Sequence, residues 1–269
     1  MLTLLAFPAL VVLTTFWGGV VIAARVLGVA EGPDSIYERA PRAWARAMLA
    51  ISGVRVVVHD AWRAETGQPR VFVSNHVSWY DVLVLAGHLP RYAFVAKAEI
   101  FNVPLFGAAA RAVGTIPIER ENRRAAFQAY DEGAVRIRGG RNVVVYPEGT
   151  RGRTYALRPF KKGPFVLAVA AGVPVVPLVM HGAIRVLPRG SLWLRPGRVD
   201  VHLLEPVDAA GLTYDDRDRL AGDVYARMAD ALRAEYGVDS PPYRAAPASS
   251  GAPTATTPAP GAPTGAGAA

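Results

Sequence analysis

The segment Arg70-Val-Phe-Val-Ser-Asn-His-Val-Ser-Trp-Tyr-Asp81 runs from an apolar stretch through a polar turn into a helical pattern over 79–88. Its β-branched run, Arg70–Ser74, reads as a strand. The same alternation repeats outward along the chain. Further strands are expected at Val54–His59, Ala93–Ala96, Gly114–Ile118, Asn142–Tyr146, Val173–Val179 and Val199–Leu204, and further helices at 104–112, 122–138, 161–171 and 213–236. Short strands separated by helices need crossover connections. The fold class is therefore α/β, a mostly parallel central sheet flanked by helices. Ligands of such sheets bind outside the carboxyl ends of the strands. Polar residues gather at those ends: Asn75-His76, Lys97, Glu119-Arg120, and Pro147-Glu-Gly-Thr-Arg151.

The 269 residues divide into a membrane-attachment segment and amphipathic helix (1–50), a central α/β domain (51–244) and a tail (245–269). No charged side chain occurs before Arg25. A helix of about 24 residues spans roughly 36 Å, against a hydrocarbon core of about 30 Å. The segment lacks the basic start and small-residue cleavage site of a secretory signal, and reads as a retained membrane segment. Pro8 and Gly18-Gly19 leave spanning and re-entrant forms both open. Arg25, Arg39, Arg42 and Arg46 follow it, which places the body of the protein on the cytoplasmic face of the cell membrane. Ser35-Ile-Tyr-Glu38 reads as a capping box for a helix over 35–50. That helix either packs on the domain or lies among lipid headgroups with Trp44 at the interface. Residues 245–269 contain only Ala, Pro, Ser, Gly and Thr and are expected to be disordered.

There is no cysteine, which removes disulfides, thiol nucleophiles and thiolate metal sites. The net charge of +8 favours anionic partners. The basic residues are dispersed and no recognition motif appears, so nucleic acid is not expected among them. G-x-S-x-G and the P-loop pattern are both missing, which removes the α/β-hydrolase and P-loop readings. His59, His88, His181 and His202 show no ligand spacing, and no metal is expected.

His76 falls on the turn and Asp81 in the first turn of the following helix, so the two can meet. A carboxylate on one imidazole nitrogen fixes the tautomer and leaves the other nitrogen free as a base. That arrangement lacks its own nucleophile, and a substrate hydroxyl is the natural candidate. A histidine in this position also serves as a cap or core residue in many folds. In Pro147–Arg151, Gly149 permits a tight turn and Arg151 offers a planar fork of donors suited to phosphate. Glu148 can orient that arginine or accept a hydroxyl proton. A polar turn after a buried strand is the plainer reading. Arg120 and Lys161-Lys162 add cations, and together these groups read as a phosphate pocket beside a proton acceptor.

Taken together, the motifs resemble those of the glycerolipid acyltransferases of the 1-acyl-glycerol-3-phosphate acyltransferase type. Four blocks stand in the family's order across residues 70–182: N-H-x-x-x-x-D (Asn75 to Asp81), G-x-x-x-I-x-R (Gly114 to Arg120), P-E-G-T-R (Pro147 to Arg151) and V-P-x-V-P (Val173 to Pro177). Lys97 also matches a family lysine. Pro117 and Gly152 depart from the usual residues. The resemblance implies acyl transfer from a thioester, acyl-CoA or acyl carrier protein, to the free hydroxyl of lysophosphatidate, without a covalent enzyme intermediate and without a cofactor or metal. It implies His76 as base and Asp81 as its orienting carboxylate. Lys97, Arg120, Glu148, Gly149, Thr150 and Arg151 would bind the acceptor, and Val173, Pro174 and Pro177 would shape the acyl or donor site. Another lysolipid acceptor, such as a lyso-ornithine lipid, and a non-catalytic membrane-attached lipid-binding protein are the alternatives. Membrane lipids and the acyl donor are the implied partners, and the oligomeric state is open.

Overall fold

In the computed structural model, which describes residues 2–65, 67–119 and 123–245, the β-branched runs form one seven-stranded sheet. The strands are β1 (Val54–His59), β2 (Val71–Ser74), β3 (Tyr92–Lys97), β4 (Ile116–Ile118), β5 (Asn142–Val145), β6 (Val175–His181) and β7 (Gly197–Leu203). Their spatial order is β1-β7-β6-β2-β5-β3-β4, and every pairing is parallel except β6 with β7. The helices are α1 (Leu2–Val26), α2 (Ile36–Ile51), α3 (Tyr80–His88), α4 (Phe106–Ala112), α5 (Arg123–Arg138), α6 (Gly163–Ala171), α7 (Ala183–Val186) and α8 (Arg217–Tyr236). The mostly parallel α/β architecture agrees with the sequence pattern.

Each central strand buries both faces, and alternate side chains go to different cores. Val71 and Val73 of β2, with Val143 and Val145 of β5, pack under α5, α6 and α8, where Ile137, Phe165, Val224 and Met228 are fully buried. Phe72, Val144 and Val176 point the other way, under α2 and α3, against Met48, Leu49, Val84 and Leu85. Truncating Phe72 to Ala would cost about 3–5 kcal/mol at such a site.

Two differences from the sequence expectation concern β6 and β7. First, β6 begins at Val175 rather than Val173, and Pro174 contributes only its carbonyl, which accepts from Val71 N–H. Second, β7 is antiparallel to β6, because the connection over 182–196 holds only the one-turn helix α7 and cannot make a crossover. Pro177 has no N–H, so at Leu204 only half a ladder pair forms, Leu204 N–H to Pro177 O at 2.9 Å, and the regular ladder of β7 stops there, Val207 alone pairing again with Val175. The carboxyl ends of β2 to β6 thus share one edge with the 182–196 connection, whereas β1 and β7 end at the opposite edge.

The apolar N-terminal helix α1 is long enough to cross a membrane over Thr3–Val26, and it suggests membrane association. It is also held along its length. Thr3 Oγ1 accepts from Leu194 N–H at 3.0 Å, Thr14 Oγ1 accepts from Trp44 Nε1–H at 3.1 Å, and Val21 and Ala24 pack with Tyr37, Ala40 and Ala112. Its outward residues, among them Leu4, Phe7, Val12 and Phe16, stay exposed. Of the two readings for the following helix, α2 takes the packed one: Trp44 turns toward α1, and Ala45, Met48 and Leu49 enter the core. The expected capping box is displaced by one residue. Ser35 is the N-cap but its side chain makes no cap hydrogen bond, and Glu38 Oε2 instead accepts from the Asp34 N–H at 3.2 Å. Arg120, and the tail from residue 246 onward, lie outside the described residues.

Candidate active site

Buried β2 delivers the chain to the sheet edge, and Asn75 fastens it there. The Asn75 amide donates to Met180 O at 2.9 Å and accepts from Met180 N–H at 2.7 Å, which locks the turn to β6. The next residue, His76, points its Nδ1 at Asp81 Oδ2, 2.8 Å away. Asp81 is wholly buried, and the same Oδ2 accepts from the N–H groups of Val77 at 2.6 Å and Ser78 at 2.8 Å. Three donors on one oxygen fix the carboxylate, and an ionised carboxylate on Nδ1 selects the tautomer with its proton there. Nε2 is then the basic nitrogen. The imidazole keeps a small exposed surface, its side chain being 14% accessible.

The turn after β5 closes on the same point. The His76 N–H donates to Glu148 Oε1 at 3.0 Å, and the Gly152 N–H donates to His76 O at 2.7 Å. Both backbone polar groups of His76 are therefore satisfied by residues 148 and 152. Glu148 is buried, and burial raises its pKa from 4.5 to about 7 against the opposing hydrogen bond from His76. Tyr146 stacks on the His76 ring with centroids 4.0 Å apart and planes 18° apart. Gly149 takes φ +71°, and an added Cβ would lie 2.9 Å from Lys161 Cε. Arg151 lies over the exposed Trp79 ring at 4.6 Å, and its carbonyl accepts from Arg189 Nη1 at 2.7 Å. Burial and then Arg189 lower the Arg151 guanidinium's pKa. Two cations held together in this way suit an anion between them.

Beside Tyr146 a pocket of about 70 Å³ opens between the ends of β3, β4 and β5, lined by Val95, Ile118, Tyr130, Gly149 and Lys161. His76, Asp81, Glu148, Gly149, Thr150 and Arg151 thus come together at the ends of β2 and β5. Lys97 sits two strands away at the end of β3, paired with Glu99 at 2.5 Å. Pro177 pairs with Val73 inside the sheet, and Val173 and Pro174 lie at the opposite edge, before β6 begins. Glu148 faces the His76 turn rather than Arg151.

Tyr146, Trp79 and Arg189 join the site without having been singled out as parts of it, and only the aromatic and cationic character of their neighbours hinted at them. Elsewhere, β1 and β7 bring His59, Asp200 and His202 ligand atoms within 4.8 Å of one another, an arrangement that separate strands conceal in the sequence. Arg198 occupies Asp200 through contacts of 2.6 to 3.0 Å, and Tyr236 OH meets His202 Nε2 at 2.7 Å.

The sequence profile of the Acyltransferase family matches residues 55–181. The 1-acyl-sn-glycerol-3-phosphate acyltransferase beta of Homo sapiens is 32% identical over 210 residues, 77% of this chain and 76% of its own length. The alpha form of Homo sapiens is 37% identical over 183 residues, 67% of this chain and 65% of its own. The chloroplastic enzyme BAT2 of Brassica napus is 36% identical over 157 residues, 57% of this chain and 46% of its own, so the chain spans about half that relative's length. The crystal structure of the 1-acyl-sn-glycerophosphate (LPA) acyltransferase PlsC from Thermotoga maritima has the same fold, with a TM-score of 0.73 over 88% of this chain and 97% of that one at 23% identity. By the profile match and by relatives that align over most of their own length, the chain belongs to the 1-acyl-sn-glycerol-3-phosphate acyltransferase family.

Proposed function

We propose that the protein transfers a fatty acyl group from a thioester, acyl-CoA or acyl carrier protein, to the free hydroxyl of lysophosphatidate, making phosphatidate. The relatives carry that acceptor in their names. The observation that carries the reading is the buried Asp81 holding His76 Nδ1 at 2.8 Å. His76 Nε2 takes the proton of the acceptor hydroxyl as its oxygen attacks the thioester carbonyl. The tetrahedral intermediate collapses with loss of the C–S bond, and the imidazolium returns the proton to the leaving sulfur. Asp81 holds the ring and balances its transient charge. The amides of His76, Val77, Ser78, Gly149 and Gly152 are committed to other acceptors and do not serve the oxyanion. Arg151, with Lys97, Arg120, Gly149 and Thr150, binds the acceptor phosphate, and Glu148 supports that site by holding the His76 turn.

α1, with its exposed apolar face, attaches the enzyme to the cell membrane, and the arginines that follow it keep the domain on the cytoplasmic side. The lengthwise docking of α1 on the domain favours a helix immersed along one leaflet over one that leaves the domain to span.

The test is acyl transfer by detergent-purified protein and its His76→Ala variant, with labelled acyl-CoA or acyl carrier protein and a panel of lysolipid acceptors. Turnover with lysophosphatidate by wild type only is expected. Comparable turnover by the folded variant would remove His76 from the reaction, and preference for another lysolipid would replace the acceptor.

A further inference from the structure

Between α7 and β7 the chain makes an exposed turn, Pro188-Arg-Gly-Ser-Leu-Trp-Leu-Arg195. Leu192 is 85% accessible and Trp193 is 72% accessible, whereas the residues on either side of the turn, Val186 and Val199, are fully buried. The turn is built rather than loose. Ser191 N–H donates to Pro188 O at 3.1 Å, Trp193 N–H to Ser191 Oγ at 3.0 Å, and Arg195 N–H to Val186 O at 3.0 Å. An ordered turn that holds a leucine and a tryptophan in water gains nothing from it within this chain, and such a pair flanked by Arg189 and Arg195 has the chemistry of a membrane interface.

We propose that this turn is a second membrane contact, separate from the N-terminal helix, which places Leu192 and Trp193 among the headgroups and upper acyl carbons of an anionic bilayer with Arg195 on lipid phosphate. Two observations single out a bilayer as the occupant. The turn is continuous with the apolar outer face of α1, because Leu194 N–H donates to Thr3 Oγ1, beside exposed Leu4, Leu5 and Phe7. Its flanking arginines match an anionic surface, in a chain of net charge +8.

The turn also reaches the site. Leu187 O accepts from Ser78 Oγ at 2.8 Å, and Arg189 Nη1 donates to Arg151 O at 2.7 Å. Gly152, next to Arg151, donates to His76 O. A lipid surface that holds the turn thereby holds the loop of Arg151 with it, and the acceptor enters from the surface the turn rests on. This consequence for turnover rests on the acyl-transfer reading, whereas the contact itself does not.

Full-length protein is sedimented with vesicles of phosphatidylcholine alone and of equimolar phosphatidylcholine and phosphatidylglycerol. The double variant Leu192→Ser, Trp193→Ser is expected to bind the mixed vesicles about tenfold more weakly than wild type. Arg195→Gln is expected to lose part of the preference for the anionic vesicles. Trp62→Ser, which removes another exposed tryptophan at the opposite sheet edge, is expected to bind as wild type does. Turnover of the double variant should match wild type on monomeric short-chain lysophosphatidate and fall with vesicle-embedded acceptor. Wild-type vesicle affinity in the double variant, or an equal loss in Trp62→Ser, would overturn the contact. A binding loss in a protein whose wild type turns over no acceptor would overturn the acyl-transfer reading and leave the contact standing.

Discussion

The main-chain N–H of His76 donates to Glu148 Oε1 across 3.0 Å, and the two residues are 72 positions apart in the chain. The turn after β2 is thereby tied to the turn after β5, and the histidine's position is set by a carboxylate that does not touch its ring. The ring is set separately, by Asp81 on Nδ1 and by Tyr146 on its face.

Asp81→Asn separates charge from shape. An amide oxygen can replace Oδ2 as acceptor for Val77 and Ser78, while the amide nitrogen takes the place of Oδ1, so the turn survives. The same amide oxygen still accepts from His76 Nδ1–H, so the tautomer is kept while the imidazolium proposed to form during transfer loses its counter-charge. We expect kcat to fall about 10³-fold with the thermal midpoint little changed, as measured by steady-state transfer and melting on one preparation. A melting loss in step with the activity loss would make Asp81 merely structural.

Glu148 makes stability depend on pH. Burial raises its folded-state pKa from 4.5 to about 7, so its contribution is present in full below about 4.5 and is lost as pH rises through 7. Glu148→Gln keeps an acceptor for the His76 N–H and removes the titration. Between pH 4.5 and 8, wild type should lose up to about 3 kcal/mol relative to the variant, in urea unfolding at each pH. Parallel stability curves for the two proteins would contradict the buried carboxylate.

Gly149→Ala forces a Cβ onto φ +71°, at about 1–2 kcal/mol, and toward Lys161 Cε at 2.9 Å. The lysine end can swing away, so the fold should persist. The displaced turn carries Arg151, and KM for a phosphate-bearing acceptor should rise more than kcat falls.

Asn75 makes no contact with a reacting atom, and its worth is in two hydrogen bonds to Met180. Asn75→Ala strands a buried N–H and C=O on β6. A loss of about 2–4 kcal/mol is expected in denaturant unfolding. Activity per folded molecule should recover at low temperature, which His76→Ala would not do.

Much of this was legible in the sequence because it is local. Seven β-branched runs form the seven strands, and the five-residue spacing of His76 and Asp81 suffices for contact when a turn enters a helix. The direction of β7 was also within reach. Pro188 and Pro196 break the stretch 182–196 and leave no helix long enough for a crossover, so an antiparallel neighbour was the remaining solution. Hidden were the partners that meet only through the sheet. Asn75 finds Met180 across 105 positions, Glu148 turns from Arg151 to His76, and His59 reaches Asp200 across 141 positions. α7 was missed because four residues carry no period. Trp44 had two readings with the same amphipathic pattern, and only Thr14 of α1 decides between water, lipid and protein for its ring.

The reversal of β7 gives the reacting edge something an all-parallel sheet lacks, a loop whose two stems are neighbouring strands. Both stems, β6 and β7, are fixed by their own ladder, so residues added to or removed from the turn over 190–195, beyond Arg189, leave the register of the sheet and the crossover helices untouched. His76, Asp81 and Arg151 stand on other connections. Variation confined to residues 190–195 would therefore change the surface this edge presents while the hydrogen bonds that fix His76 and Asp81 stay as they are.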